Sequence, residues 1–387
     1  MNSYKLTICI PTRNRLVYLK PLLYGLIKEL PSDTQIVIGD NSDVEIFSDI
    51  TSTLNNQIKY LAPAASALTM VENWNRCASQ ADGEWVVFIG DDDYIEPRLS
   101  TVIRQIERLS PKTSGIKWAT TNYDWLDNRK NKPSVSELDL SMKISLVDKE
   151  KTFLKMFGWP KPGTRTSGMG VYHGALKLDI LKKIKTIYGN FFCDINPDYE
   201  NSAKGLLHST SAIYISRMLS IYGAGAASNS AISLSLEKMK ILAIETGSDD
   251  LNDSPLGIPR EAGIAPTVAN TYYKFMKQHN IEVKGWEINF VKSCVYECQT
   301  ALTEEEFIAR KENYTFIFSK WQSGFYLQYF QEISRITSDL DFRGFKDGKL
   351  YIDNILSNES CADFYNRINC FLFPVELIGE DLSKWSS

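Results

Sequence analysis

Along the first third of the chain, short unbroken apolar runs alternate with longer stretches in which apolar residues return every third or fourth position. Leu6 to Ile10 is such a run, stopped by Pro11 and followed by Thr12-Arg13-Asn14. Leu16, Leu19, Leu22, Leu23, Leu26, Ile27 and Leu30 then recur at helical spacing, so the opening reads as strand, polar turn and amphipathic helix. Gln35 to Ile38 predicts a second strand ending in Gly39-Asp40-Asn41-Ser42, and Gln57 to Leu61 a third. Leu68 to Ser79 predicts a helix with Met70, Val71, Trp74, Cys77 and Ala78 on its apolar face, leading into the apolar run Trp85 to Ile89. Such alternation implies parallel βαβ units and a sheet covered on both sides.

Further along, Pro97 opens a helix to about Leu109 and Ile116 to Thr121 predicts another strand. Leu126 to Ser145 is polar and aperiodic and reads as an insertion or loop. Gly168 to His173, Thr210 to Ile215 and Leu219 to Tyr222 read as strands, and Pro197 as the first residue of a helix. The turn-forming stretch Gly247 to Pro259 is the best boundary. Expected are a first domain over 1–246, a linker over 247–263, and a smaller helical domain over 264–387 for acceptor binding or assembly. In that last domain 267–278, 287–302 and 304–321 are helix-like.

Composition changes this picture little. At 387 residues with 43 % hydrophobic and 23 % charged residues, the chain has the make-up of an ordinary globular protein of about two domains. Its net charge of −4 argues against nucleic acid as a partner. No apolar stretch approaches the roughly 20 residues of a membrane span, and the N-terminus lacks a signal pattern, so a cytoplasmic location is expected. The seven cysteines are scattered and read as reduced thiols.

Chemistry enters at Trp85-Val-Val-Phe-Ile-Gly-Asp91-Asp92-Asp93, an apolar strand that ends in three adjacent carboxylates. Ligand sites in open α/β sheets lie beyond such strand ends. Clustered acids there predict a hard divalent cation, Mg²⁺ or Mn²⁺, whose other ligands are water and substrate phosphate. A phosphorylated small molecule, plausibly a nucleotide, is the implied substrate.

The N-terminal Ile-Pro-Thr-Arg-Asn-Arg15, the strand ending in Asp40-Asn-Ser42, and Phe-Ile-Gly-Asp-Asp-Asp93 after a helix bearing Asn73 and Asn75 together resemble the family 2 glycosyltransferases. The resemblance spans about residues 5 to 230. It implies a GT-A fold, a Rossmann-like mixed α/β sheet that takes nucleotide-diphospho-sugars, here with a smaller C-terminal helical domain. It also implies a nucleotide-sugar donor, UDP-sugar favoured, a metal at a DxD motif, and inversion at the anomeric carbon. Carried over by motif, Pro11, Thr12, Arg13 and Arg15 meet the donor, Asp40 hydrogen-bonds the base, and Asn73 and Asp91 line the nucleotide side. Asp91, Asp92 and Asp93 are all expected at the metal. One registration makes Asp92 the ligand and another Asp93. The general base expected about a hundred residues later is Asp198, in Cys193-Asp194-Ile-Asn-Pro-Asp198, with Asp194 as alternative. His173 reads as packing or acceptor-side hydrogen bonding, and Gly223 to Asn229 as a segment able to close over the substrates.

The resemblance implies transfer to a glycan or lipid-linked acceptor in bacterial surface-polysaccharide synthesis, O-antigen or capsule. Peripheral contact with the inner face of the plasma membrane is a further expectation, hinted at by the Lys177 to Lys185 stretch, while the aromatic edge Phe153 to Trp159 reads first as core packing and otherwise as contact with a sugar or lipid-linked acceptor. Two other readings stand beside it. A sugar nucleotidyltransferase calls for a glycine-rich phosphate loop that Pro11-Thr-Arg-Asn14 lacks, and a catalytically silent binding module has no use for intact acids.

Overall fold

The computed structural model describes residues 4–378 apart from 54, 128–133, 164, 229–235, 238, 240–253, 337–341 and 354–358. Strands β1 (Tyr4–Thr12), β2 (Thr34–Asp40), β3 (Ile58–Leu61) and β4 (Gly83–Phe88) are parallel, and α1 (Leu16–Ile27), α2 (Phe47–Ile50) and α3 (Met70–Ala78) lie between them. After the acids come β5 (Tyr94–Ile95), α4 (Leu99–Leu109) and β6 (Thr113–Asp124). Next are β7 (Val135–Asp139), β8 (Ile144–Leu146), α5 (Lys149–Gly158), β9 (Gly174–Lys177), α6 (Leu178–Tyr188), α7 (Pro197–His208) and β10 (Ser211–Ala224). The main sheet runs β3-β2-β1-β4-β9-β6-β10-β5, with β8 also paired to β10. Because β9 is antiparallel to both β4 and β6, those two point the same way, and their carboxyl ends share one edge of the sheet.

Alternation along β1 explains the layers. Leu6, Ile8 and Ile10 point into one apolar cluster with α1 and α4, while Cys9 points into the other with Trp74 and Cys77 of α3. Both faces are buried, as the uninterrupted apolar runs require. The capping box in which Thr69 and Glu72 satisfy each other's backbone N–H fixes the start of α3.

The C-terminal helices α8 (Ile264–Gln278), α9 (Trp286–Gln299) and α10 (Glu304–Lys320) form where the periodicity placed them. Tyr272, Phe275, Trp286 and Phe318 share one apolar cluster with Phe157 of α5, Trp74 and Phe88. The aromatic edge of α5 is thereby spent on packing, with Phe157 fully buried against Tyr272 and Phe275. The apolar side of α6, Leu178, Ile180, Leu181 and Ile184, is buried too, and so is not free to meet a membrane. Of the expected linker, residues 247–253 fall outside the described residues, and Leu256 and Ile258 beyond them are buried on α8.

Three expectations change. Gly168 to His173 is not a strand, and β9 begins at Gly174, with Tyr172 only bridged to Phe88. The two strands expected at 210–222 are one, β10, because its register slips between Ile215 and Ser220 without breaking the pairing to β6. Within the polar 126–145 insertion, β7 pairs with β12 (Lys349–Asp353), which forms a hairpin with β11 (Gly344–Lys346). A local reading finds no strand there because the partner arrives two hundred residues later. Finally α11 (Cys361–Asn369) packs on α1 and β10, anchored by the buried Arg217, which donates to Asn369 Oδ1 (2.7 Å) and Tyr365 Oη (3.1 Å). All seven cysteines are free thiols. Among the described residues no helix is long and apolar enough to cross a membrane.

Candidate active site

The carboxyl ends of β1, β4 and β6, the start of α7 and the stretch from Arg260 to Val268 enclose a cleft of about 810 Å³. Pro11, Thr12, Arg13, Arg15, Asn73, Asp91, Asp92 and Asp198 all line it. Residues from both ends of the first 200 positions thus meet in one place.

Thr12 Oγ1 donates to Asp91 Oδ2 at 2.6 Å and Arg15 lies 3.4 Å from Oδ1, so the first loop grips the first acid. Burial pushes the Asp91 carboxyl up, with Arg15 and Thr12 opposing. Asp92 is pushed well above its ordinary value by burial and then by repulsion from Asp93 and Asp91. Asp93 behaves differently. Its Oδ2 accepts from Tyr172 (2.9 Å) and the Gly90 amide (2.6 Å) and meets His173 Nε2 (3.0 Å), while Oδ1 accepts from the Gly223 amide (2.8 Å). Burial works against its ionisation, yet His173 and those amides hold the carboxyl below the usual range.

This separates the three acids. Among the described residues no three His, Cys, Asp or Glu side chains meet as a metal cage. Asp91 and Asp92 face the cleft with oxygen donors, and Asp92 is short of positive charge, which fits a hard divalent ion completed by water and phosphate. Asp93 does not fit and is no wall of the cleft: its oxygens are taken up by the protein itself. It is a brace that ties β4 to β10 through Gly223. A Cβ at Gly223 would stand 1.7 Å from the Asp92 carbonyl, so only glycine permits this approach.

Two further sites move. Asp40 is fully buried and absent from the cleft wall, because its carboxylate accepts from the amides of Ser42 (2.9 Å) and Ile46 (3.3 Å) and from Tyr60 Oη (2.5 Å). Its neighbour Asn41 lines the cleft instead, clamped to both backbone groups of Leu68. Asp194, the alternative base, is committed to a bidentate pair with Arg260 (3.3 and 3.0 Å) and to Thr271 Oγ1 (2.7 Å), fastening α8 to the α7 entrance.

Among the described residues Asp198 has no ion-pair partner, and it opens onto the cleft from the first turn of α7. A helix N-terminus alone lowers a carboxyl's pKa. Here burial outweighs it, helped by Asp194 nearby, and raises Asp198 to about 6 against the pull of the Tyr199 amide and His173. The loop before α7 is held by Asn75, which accepts from the Phe191 and Phe192 amides and donates to the Phe192 carbonyl (2.8 Å). Of the closing segment, Asn229 lies outside the described residues, and Arg15 donates to the Ala227 carbonyl.

Sequence reasoning missed Lys117 and Arg165, both in the cleft wall. The signal for Lys117 was present: a lone cation inside the apolar run Ile116-Lys117-Trp118 on a central strand.

A largely parallel α/β sheet with an acid-lined cleft at its carboxyl edge agrees with the GT-A fold class expected from the sequence. Residues 7–168 match the model of glycosyl transferase family 2, and this part of the chain is similar to that family. Among solved structures it is similar to Staphylococcus aureus TarS 1–349 in complex with UDP-GlcNAc, at 15 % identity and TM-score 0.47 over 84 % of this chain and 90 % of that one. The same fragment in complex with UDP gives 17 % identity and TM-score 0.43 over 90 % and 98 %. A search of curated proteins returns no match.

Proposed function

We propose that the protein moves one sugar, with inversion, from a nucleoside diphosphate donor, UDP-sugar first among them, to a hydroxyl of a glycan or lipid-linked acceptor. The observation that supports this best is that Asp198 opens onto the same cleft as Asp91 and Asp92 and has a pKa of about 6. Such a carboxylate is ionised near neutrality yet basic enough to take a proton. In the reaction it accepts the acceptor's hydroxyl proton while that oxygen bonds to the anomeric carbon. The bond from that carbon to the diphosphate oxygen breaks on the opposite face, and the nucleoside diphosphate leaves.

Asp91 and Asp92 would hold Mg²⁺ or Mn²⁺, which when bound neutralises charge on the leaving diphosphate. Thr12 and Arg15 orient Asp91, and Arg13 and Asn73 form the nucleotide side. The C-terminal region 264–387 supplies the acceptor side through Ile264, Thr267 and Val268. The setting we infer is surface-polysaccharide assembly, O-antigen or capsule, at the cytoplasmic face of the membrane.

The test is nucleotide release from a panel of UDP-, GDP- and dTDP-sugars with and without Mn²⁺. Turnover of at least one donor, lost on chelation, is expected for the wild type. Manganese-independent release, or none from any donor, rejects the reading.

A further inference from the structure

Three of the cations in the cleft wall are already paired with the protein's own carboxylates. Arg13 sits 3.4 Å from Asp43, Arg15 3.4 Å from Asp91, and Arg260 3.0 Å from Asp194. Lys117 is different. Its ammonium lies on the cleft side of β6 and donates to the Ser167 carbonyl and to Ser167 Oγ (2.8 Å), both neutral oxygens. Among the described residues no carboxylate pairs with it, and burial alone lowers it to about 8. Two residues before Ser167, Arg165 pairs only loosely with Glu297, at 3.9 Å, and its buried Nε has no hydrogen-bond partner among the described residues.

A buried ammonium without a counter-charge is costly to keep. Lys117, with the loosely paired Arg165 in the same cleft wall, is stabilised by an anion that enters with the substrate. The position decides which substrate. Ser167 leads into Gly168 and Gly170, which pack directly on Ser202 of α7, so this wall belongs with Asp198 rather than with Thr12 and Asp91 on the donor side.

We propose that Lys117, Ser167 and Arg165 bind an anionic group, phosphate ester or carboxylate, carried by the acceptor next to the hydroxyl that is glycosylated. This rests on the glycosyl-transfer reading above and narrows its acceptor to one that carries negative charge. Lys117 supplies a point charge, and Arg165 a fork suited to a planar or tetrahedral oxyanion.

Calorimetric titrations with glycerol 3-phosphate, glucuronate and uncharged glycerol test it, each run with and without UDP. One or both anions should bind, glycerol should not, and UDP should leave the affinity within twofold. Binding of only one anion identifies the acceptor's group as phosphate ester or carboxylate. Lys117→Met should weaken the anion about tenfold and Lys117→Arg should restore most of it, with circular dichroism melts confirming that both variants fold. As the pH rises through 8 the wild-type affinity should fall. Equal affinity in Lys117→Met, or competition by UDP, overturns the proposal, the latter by handing the cations to the donor diphosphate. Anion binding that depends on Lys117 in a protein that turns over no sugar nucleotide would leave the site standing and remove the transferase mechanism instead.

Discussion

Asp194 and Asp198 stand four residues apart in opposite surroundings. Asp194 is buried against Arg260 and Thr271, so Asp194→Asn removes one partner of a buried ion pair and should cost roughly 3–5 kcal/mol. Chemical denaturation will show it as a lower midpoint. Asp198 is held ionised where burial resists it. Its folded pKa, about 6, lies well above the ordinary aspartate range. The stability it contributes is therefore fully present below about 4 and lost as pH rises through about 6. Asp198→Asn removes that penalty and should be more stable than the wild type at pH 7.5, on the order of 1–3 kcal/mol, while losing at least 10²-fold in kcat. The wild-type rate should climb with pH up to about 6 and then level, and a profile flat across that range would take Asp198 out of the base role. Pro197 made Asp198 legible in the sequence, because proline at a first helical position fixes where the next side chain falls. Asp40 and Asp93 are harder to place from sequence for the converse reason: an acid at a strand end is visible in sequence, but the direction it points depends on Tyr60 and His173, which come from distant elements.

At the scale of elements, β10 does most to assemble the cleft. It pairs with β6, receives Asp93 on the Gly223 amide, and delivers the loop that Arg15 holds at Ala227. Gly223→Ala cannot be accommodated without moving the Asp92 carbonyl, which also accepts from Trp125 Nε1 at 2.8 Å. Donor affinity should fall about tenfold or more in that variant, measured by titration with UDP-sugar and Mn²⁺, and unchanged affinity would mean the acid loop tolerates displacement. Parallel units β1 to β4 were readable because each strand is a continuous apolar run and each helix keeps its period. The bulged β10, and β7 paired to a hairpin from near the C-terminus, depend on register and long-range pairing that local patterns do not carry.

Over the whole molecule, the chain closes on itself twice, through the helices α8 to α10 on one face of the sheet and through α11 on the other. Arg217 is the fastening on the second face, 1 % exposed and shared between Asn369, Tyr365 and Glu96. Arg217→Met should release α11 and make its amides exchange faster than those of β1, while leaving the opposite face protected. The central claim is that one cleft positions a metal-binding acid pair and a base on opposite sides of an anomeric carbon. Its most direct measurement is the anomeric configuration of the transferred sugar, read by NMR on product made from an α-linked UDP-sugar. A β-linked product formed by the wild type and absent with Asp198→Asn is the predicted result. An α-linked product, or the same product at the same rate from Asp198→Asn, would contradict the account.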